Sequence, residues 1–162
     1  MMDIDLHDPQ KQEELNHLRG ILDLKKNPWH PLVFVNGWDN IELGDNVYVG
    51  YLSEIHATGS KIVIKDNCDI AGFVAINVAD SHKRCIGLSD SIDRGPIVLE
   101  ENVFVGSHTF IGKNTHIGHH SVVAAGTIIV DGGQIPPYSL VKGNPAKVYP
   151  GIYEKHFSAK QK

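Results

Sequence analysis

Residues 99–129 read LEENVF VGSHTF IGKNTH IGHHSV VAAGTI I when broken every six residues, with an aliphatic side chain opening each unit at Leu99, Val105, Ile111, Ile117, Val123 and Ile129. Glycine follows three of these openers, and the fifth residue of each unit is small or β-branched: Val103, Thr109, Thr115, Ser121 and Thr127. A helix of period 3.6 cannot keep positions six apart on one face, and a period-2 strand would not single out every third odd position. Hexads of this kind mark a parallel β-helix, in which three short extended segments make one coil and inward residues stack on their equivalents about 4.8 Å along the axis.

Working outward from this stretch, earlier hexads open at Leu43, Val49 and Ile55. The phase then slips by three around Lys61 to Val63 and resumes at Ile64, Ile70 and Ile76. A degenerate coil is expected over Leu32 to Asn40, and four to five coils in all. Cys68 falls at a fifth position, where a small buried thiol is the ordinary reading. Asp80 also falls at a fifth position, and an unpaired buried carboxylate is costly, so the coil must open there. The interruption DSHKRCIGLSDSIDRG, Asp80 to Gly95, therefore reads as a loop over a binding cleft.

Before the hexads, Asp8-Pro9 is a helix start and Leu15, Leu18, Ile21 and Leu22 share a face, giving an expected N-terminal helix that covers a solenoid end. The organisation expected is thus a helix and connector over 1–31, a β-helix over 32–134 with an external loop at 80–96, and a C-terminal tail over 135–162. Pro136-Pro137 and Asn144-Pro145 are expected to turn the tail away from the coil axis, and a short terminal helix to end it.

The chain has 162 residues and a formal charge of −4, with no basic block to suggest nucleic-acid binding. No run approaches 18 apolar residues, and MMDIDLHDPQ lacks the features of a signal peptide, so a cytoplasmic protein without membrane insertion is expected. Two cysteines make no disulfide framework.

The hexads, the His-bearing loop closed by Gly95-Pro96-Ile97, the run Asn102–His108 (NVFVGSH), and Ile135-Pro136-Pro137 with Gly143–Val148 (GNPAKV) together resemble the bacterial hexapeptide-repeat acyltransferases, most closely the galactoside, maltose and related sugar O-acetyltransferases. The likeness covers about residues 30 to 150. It implies an all-β, left-handed parallel β-helix, assembled as a homotrimer with acetyl-CoA between subunits, three active sites and no metal. It also implies His82 as catalytic base, with Ser107, Ala125 and Lys147 near the cofactor. Some positions depart from the pattern: Lys83 follows His82 in place of Pro, Phe104 stands for an indole, and Phe73 stands where the galactoside branch places Asn. These departures leave the acceptor open, whether a sugar hydroxyl or an amine.

The chemistry suits these residues. Moving an acetyl group from a thioester to a hydroxyl requires a proton acceptor, for which an imidazole, ordinarily near pKa 6.5, is apt. Asp80, two residues before His82, is a candidate orienter of the ring. Backbone amides at Gly106 and Ser107 are candidate oxyanion donors, while Lys142 and Lys147 offer cations to an anionic cofactor on a net-negative chain. Two further readings are weighed against this one. A gamma-class carbonic anhydrase-like metalloenzyme would use His82, His116 and His120, but the required His-x4-His spacing does not occur. A non-catalytic assembly β-helix would be expected to have lost the loop histidine or the tail. His108 is a candidate lining of the cleft.

Overall fold

The computed structural model describes residues 32–158, so the helix and connector expected over 1–31 lie outside the described residues. Three parallel sheets wrap one core. The first holds β1 (Phe34–Asn36), β4 (Glu54–His56), β7 (Ala75–Asn77), β12 (Phe110–Ile111) and β15 (Ile128–Ile129). The second holds β2 (Ile41–Leu43), β5 (Ile62–Ile64), β10 (Ile97–Leu99), β13 (Thr115–Ile117) and β16 (Gly133–Ile135). The third holds β3 (Tyr48–Val49), β6 (Asp69–Ile70), β11 (Phe104–Val105), β14 (Val122–Val123) and β17 (Leu140–Lys142), with β18 (Lys147–Tyr149) antiparallel on its last edge. The chain visits the sheets in rotation, making five coils of a parallel β-helix.

Register makes the hexads physical. Ile55 lies beside Ile76, Ile111 beside Ile76 and Ile129, and Val105 beside Ile70 and Val123. Each of these openers is buried to 3% exposure or less. Leu43, in the first described coil, is more open, at 37% exposed. Fifth-position hydroxyls are buried yet bonded: Ser121 donates to the Pro136 carbonyl (3.3 Å) and accepts the Ser139 N–H (3.0 Å), while Thr127 donates to the Ala124 carbonyl (2.6 Å). Cys68 donates its thiol to the Glu100 carbonyl at 3.0 Å, and burial pushes its pKa up to about 11, which leaves it a packing residue.

Three corners separate the sheets. Between the second and third sheets, and between the third and first, successive openers keep a spacing of six in every coil, as from Leu43 to Val49 and from Val49 to Ile55. All length variation falls between the first and second sheets. There the slip of three becomes the longer turn at 57–61, and the excursion leaves at Val78 and returns at Gly95, whose N–H reaches the Val78 carbonyl at 3.0 Å.

At the two invariant corners the fourth residue of each hexad takes the left-handed conformation. Between the second and third sheets these are Asn46, Asn67, Asn102, His120 and Tyr138, with φ from 55° to 59°. Between the third and first they are Leu52, Phe73, His108 and Gly126, with φ from 56° to 70°. Asparagine and glycine accept this conformation readily, whereas other side chains pay roughly 1–2 kcal/mol.

The parallel ladder continues to Lys142, beyond the boundary at 134 expected from sequence, and Pro136-Pro137 does not turn the chain off the axis. The reason is direction. At this corner the N–H of the second residue of a hexad donates to the next coil's carbonyl, as Gly118 does to Ile135 at 2.9 Å. Pro136 sits at the equivalent place in the last coil, where no further coil asks for a donor. The chain turns back only after Lys142, and Ala146 then packs against the core end. A short helix, Glu154–Ser158, ends the described chain, with Phe157 edge-on to His120 at 4.6 Å.

Because Ser121 serves a carbonyl and an N–H that are both inside, Ser121→Ala should destabilise the protein by about 1–3 kcal/mol. A lowered urea midpoint with an unchanged slope is the expected result.

Candidate active site

The excursion stands on a narrow neck. Strands β8 (Ala79–Asp80) and β9 (Asp93–Arg94) pair antiparallel, and Arg94 Nε donates to the Thr58 carbonyl at 3.0 Å, anchoring the neck to the lengthened turn of the coil beneath. Helix α1 (His82–Cys85) follows Ser81 directly. Lys83 on this helix pairs with Asp93 on β9 at 2.8 Å, and on the same corner Lys113 of the next coil pairs with Asp131 of the one after at 3.0 Å. Such exposed pairs are screened by solvent, so they set geometry more than stability.

Asp80 organises the centre of this loop. One of its oxygens accepts the backbone N–H of His82 (3.1 Å) and faces the ring Nδ1 (2.6 Å). The backbone bond is an Asx turn, which a short carboxylate makes two residues ahead of itself. These bonds, first the backbone one and then the ring's, hold the Asp80 carboxyl below its ordinary range against slight burial, with the positive charge of Lys113 adding to the effect. An ionised carboxylate only accepts, so in the neutral ring the proton sits on Nδ1 and Nε2 presents its lone pair. The His82 side chain is 59% exposed, open to a reacting group.

The other sequence candidates gather at a different corner, between the third and first sheets. Gly106 packs so closely on the next coil that a Cβ there would lie 2.4 Å from the Ala125 nitrogen. The Ser107 carbonyl accepts the Gly126 N–H at 2.9 Å. Ala125 is exposed, and a Cβ on Gly126 would meet only open space. Lys142 and Lys147 face each other across β17 and β18, both exposed, with the Lys142 ammonium 5.0 Å from the Tyr149 ring centre. Ser107, Ala125, Gly126 and the two lysines thus form a column along the axis, narrow-walled at one end and cationic at the other.

The structure brings Asp80 to His82, and Gly106, Ser107, Ala125, Lys142 and Lys147 to one column. It does not bring the two groups together within one chain, since the first sheet lies between their corners. Nor do His82, His116 and His120 converge. His116 bonds Glu100 through Nε2 at 3.0 Å, and His120 faces His119 with Nδ1 atoms 3.1 Å apart, at the corner between the second and third sheets. Among the described residues no group of three or more His, Cys, Asp or Glu is placed to hold a metal ion.

Sequence reading missed one cluster, the rings of Tyr51, Phe73 and His108 stacked up the same corner as the column. Tyr51 and Phe73 have centroids 5.4 Å apart at 71°, and Phe73 and His108 lie 4.8 Å apart at 14°. Reading the fourth residue of each hexad, rather than only the first and fifth, would have revealed Phe73 above His108.

No family model matches the chain. Among curated proteins it is 34% identical over 129 residues to "Putative acetyltransferase YJL218W" of Saccharomyces cerevisiae, which spans 77% of this chain and 63% of that protein. It is 37% identical over 115 residues to "Putative acetyltransferase SACOL2570" of Staphylococcus aureus, 69% of this chain and 55% of that protein. The chain therefore spans less than two thirds of the length of these relatives. Among solved structures it is similar to a galactoside acetyltransferase in complex with coenzyme A (TM-score 0.70, 24% identical, 95% of this chain and 88% of that one). It is likewise similar to a hexapeptide-repeat acetyltransferase of Vibrio cholerae (TM-score 0.69, 24%, 85% and 90%), also solved with acetyl-coenzyme A. A maltose O-acetyltransferase of Clostridium difficile gives a TM-score of 0.63 at 23% identity, covering 90% and 76%. With its five stacked coils and open His-bearing loop, the chain has the left-handed parallel β-helix of the hexapeptide-repeat acetyltransferases and in fold belongs with them.

Proposed function

We propose that this protein is an acetyl-CoA-dependent acetyltransferase acting on a hydroxyl, or an amine, of a sugar or sugar derivative, with His82 as general base. The observation that carries this reading is the exposed His82 ring, its Nδ1 held on the Asp80 carboxylate and its Nε2 left to accept a proton. Acetyl-CoA supplies the activated acyl group. The column fits its donor arm: Gly106 and Ala125 bring two coils into close contact, Gly126 leaves the rung above open, and Lys142 and Lys147 offer charge to phosphates on a chain of net −4. As the acceptor oxygen bonds the acetyl carbon, His82 Nε2 takes its proton and returns it to the sulfur that leaves. The Gly106 N–H is already bound to the Val123 carbonyl at 2.8 Å, so oxyanion stabilisation falls to the Ser107 hydroxyl or its N–H.

The separation of loop and column on one chain supports a homotrimer in which the loop of one subunit meets the column of the next. A site built this way is complete only in the assembly.

His82→Ala should cut turnover by about 10² to 10⁴ while leaving acetyl-CoA affinity intact. Asp80→Asn should lower turnover by about tenfold or more with the same affinity, the mark of a positioning residue. A fall of less than tenfold for His82→Ala would move the base elsewhere, with His108 next.

Lys147→Glu should raise the acetyl-CoA KM far more than it changes kcat. At acetyl-CoA well below the raised KM of Lys147→Glu, refolding His82→Ala and Lys147→Glu chains together should give more activity than the sum of the two alone, because a mixed trimer contains sites drawn from the intact half of each. Absence of rescue would count against the shared site.

The loop has a pH signature whose sign follows from its carboxylates. Asp80 and Asp93 sit below their ordinary range when folded, Asp93 through the Lys83 ammonium, so the unfolded loop binds more protons as acid is added. Their contribution is complete at neutral pH and is lost as pH falls below about 4. Protection factors of the backbone amides in 81–92, which remove the intrinsic pH dependence of exchange, should fall as the pH drops through that range.

A further inference from the structure

The corner that carries the loop holds more charge than the Asp80–His82 pair uses. The two coils after the excursion turn there as well, with Lys113 just beyond β12 and Asp131 just beyond β15. Stacking brings these turns against the base of the loop: a Cβ on Gly95, where the excursion returns, would run into the Asn114 side chain. The Lys113 ammonium meets Asp131 at 3.0 Å, and its side chain is 13% exposed, the most covered of the ions paired at this corner. A lysine is seldom so covered unless carboxylates face it. Here more than one does. After the two His82 bonds, the Lys113 charge helps to hold Asp80 below its ordinary range, and after the Lys83 bond it does the same for Asp93. Asp131 reaches back to the loop in turn, where it joins Asp93 and Asp80 in raising Lys83. Arg94 is turned to the Thr58 carbonyl of the coil before, and Arg84 and Asp90 are exposed on the loop. The base of the loop thus gathers three carboxylates and two ammonium groups, one cation short until the imidazole takes a proton.

We propose that Lys113 and Asp131 are positioning residues for His82, an ion pair on the neighbouring coils whose opposed charges set how readily the ring takes up and gives back the acceptor's proton. This inference rests on the reading of His82 as general base. As the acceptor oxygen or nitrogen bonds the acetyl carbon, its proton passes to Nε2, and the carboxylates favour the imidazolium so formed. The same proton then leaves with the sulfur of the departing thiol, and the Lys113 ammonium keeps the carboxylates from retaining it. Without that ammonium the surplus of negative charge favours a ring protonated before the acceptor arrives, which is no base.

Two single variants separate charge from scaffolding, because both break the same ion pair and each leaves behind a charge of opposite sign. Lys113→Met keeps the stem of the side chain and leaves the Asp131 carboxylate alone; Asp131→Asn keeps its shape and leaves the ammonium alone. Titration of the His82 ring would be followed by NMR of the full chain labelled at histidine, at low salt, with His82→Ala identifying its signal. Against wild type the midpoint should rise by about 0.3 pH unit or more in Lys113→Met and fall by a similar amount in Asp131→Asn, the order that a single charge at this range exerts through water. In the double variant, where the pair is gone but the net charge is restored, and in Lys113→Arg, it should return close to the wild-type value. The acid limb of kcat/KM, measured with acetyl-CoA against methyl pyranosides and amino sugars, should move in the same sense as the ring. Should Lys113→Met fail to fold, Lys113→Gln carries the same expectation. Midpoints that stay put, that move the same way in both single variants, or that move furthest in the double variant would overturn the proposal and leave the pair a strut beneath the loop. If wild type and His82→Ala transfer acetyl equally well, the general-base reading fails by itself; the ring titration needs no acceptor and still decides whether the pair sets the charge of His82.

Discussion

Everything in this molecule depends on the backbone hydrogen bonds that run from one coil to the next. They hold equivalent residues directly above one another, so a side chain has only two neighbours of its own kind, one coil up and one down. Inside, this gives the columns of isoleucine and valine in which Ile55, Ile76, Ile111 and Ile129 touch in order. Outside, it gives ladders along the corners, where a feature of one residue becomes a stripe only if the hexad repeats it. A parallel solenoid cannot assemble a site from distant segments folding over each other. It must extend a loop, line up a column, or borrow from another copy, and this chain shows the first two.

The interior was legible because burial imposes a strict period. An aliphatic residue at every sixth position fits neither a helix nor a flat sheet, and the exception at Asp80 located the excursion because a carboxylate cannot share that column. The pairing of Asp80 with His82 was also within reach, since it spans two residues. Other features depended on facts no local pattern holds. The last coil reaches Lys142 because the second-position N–H at that corner points to the following coil, which makes Pro136 harmless at the final turn and is invisible in the residues themselves. The aromatic ladder was hidden for a related reason: Phe73 and His108 each stand out in the sequence, but nothing in either says that their rings meet until the register between coils is known.

Charge is distributed with the same economy. Asp93 and Asp131 each pair with a cation on the corner that carries the loop, Lys83 and Lys113, and Asp80 faces the His82 ring there. Glu100, at the opposite side of the second sheet, is held below its ordinary range despite its burial by His116, Lys65 and the His119 N–H. The column of Gly106, Ser107, Ala125 and Gly126 carries no charge until the two lysines at its end, so an anion approaching that corner meets a field of one sign in one place.

The confinement of every length change to one corner has a consequence for how such a molecule diversifies. Two edges of the prism are rigid in length, and one of them carries the column; the third edge absorbs additions without disturbing the register of any sheet. Chain length at that third edge is thus a free variable, while the geometry of the opposite edges is a fixed quantity of the architecture. A lineage can lengthen, shorten or exchange the segment 81–92 and keep the column of Gly106, Ser107, Ala125 and Gly126 unaltered, so what the loop presents can change through a single insertion point, without a new fold.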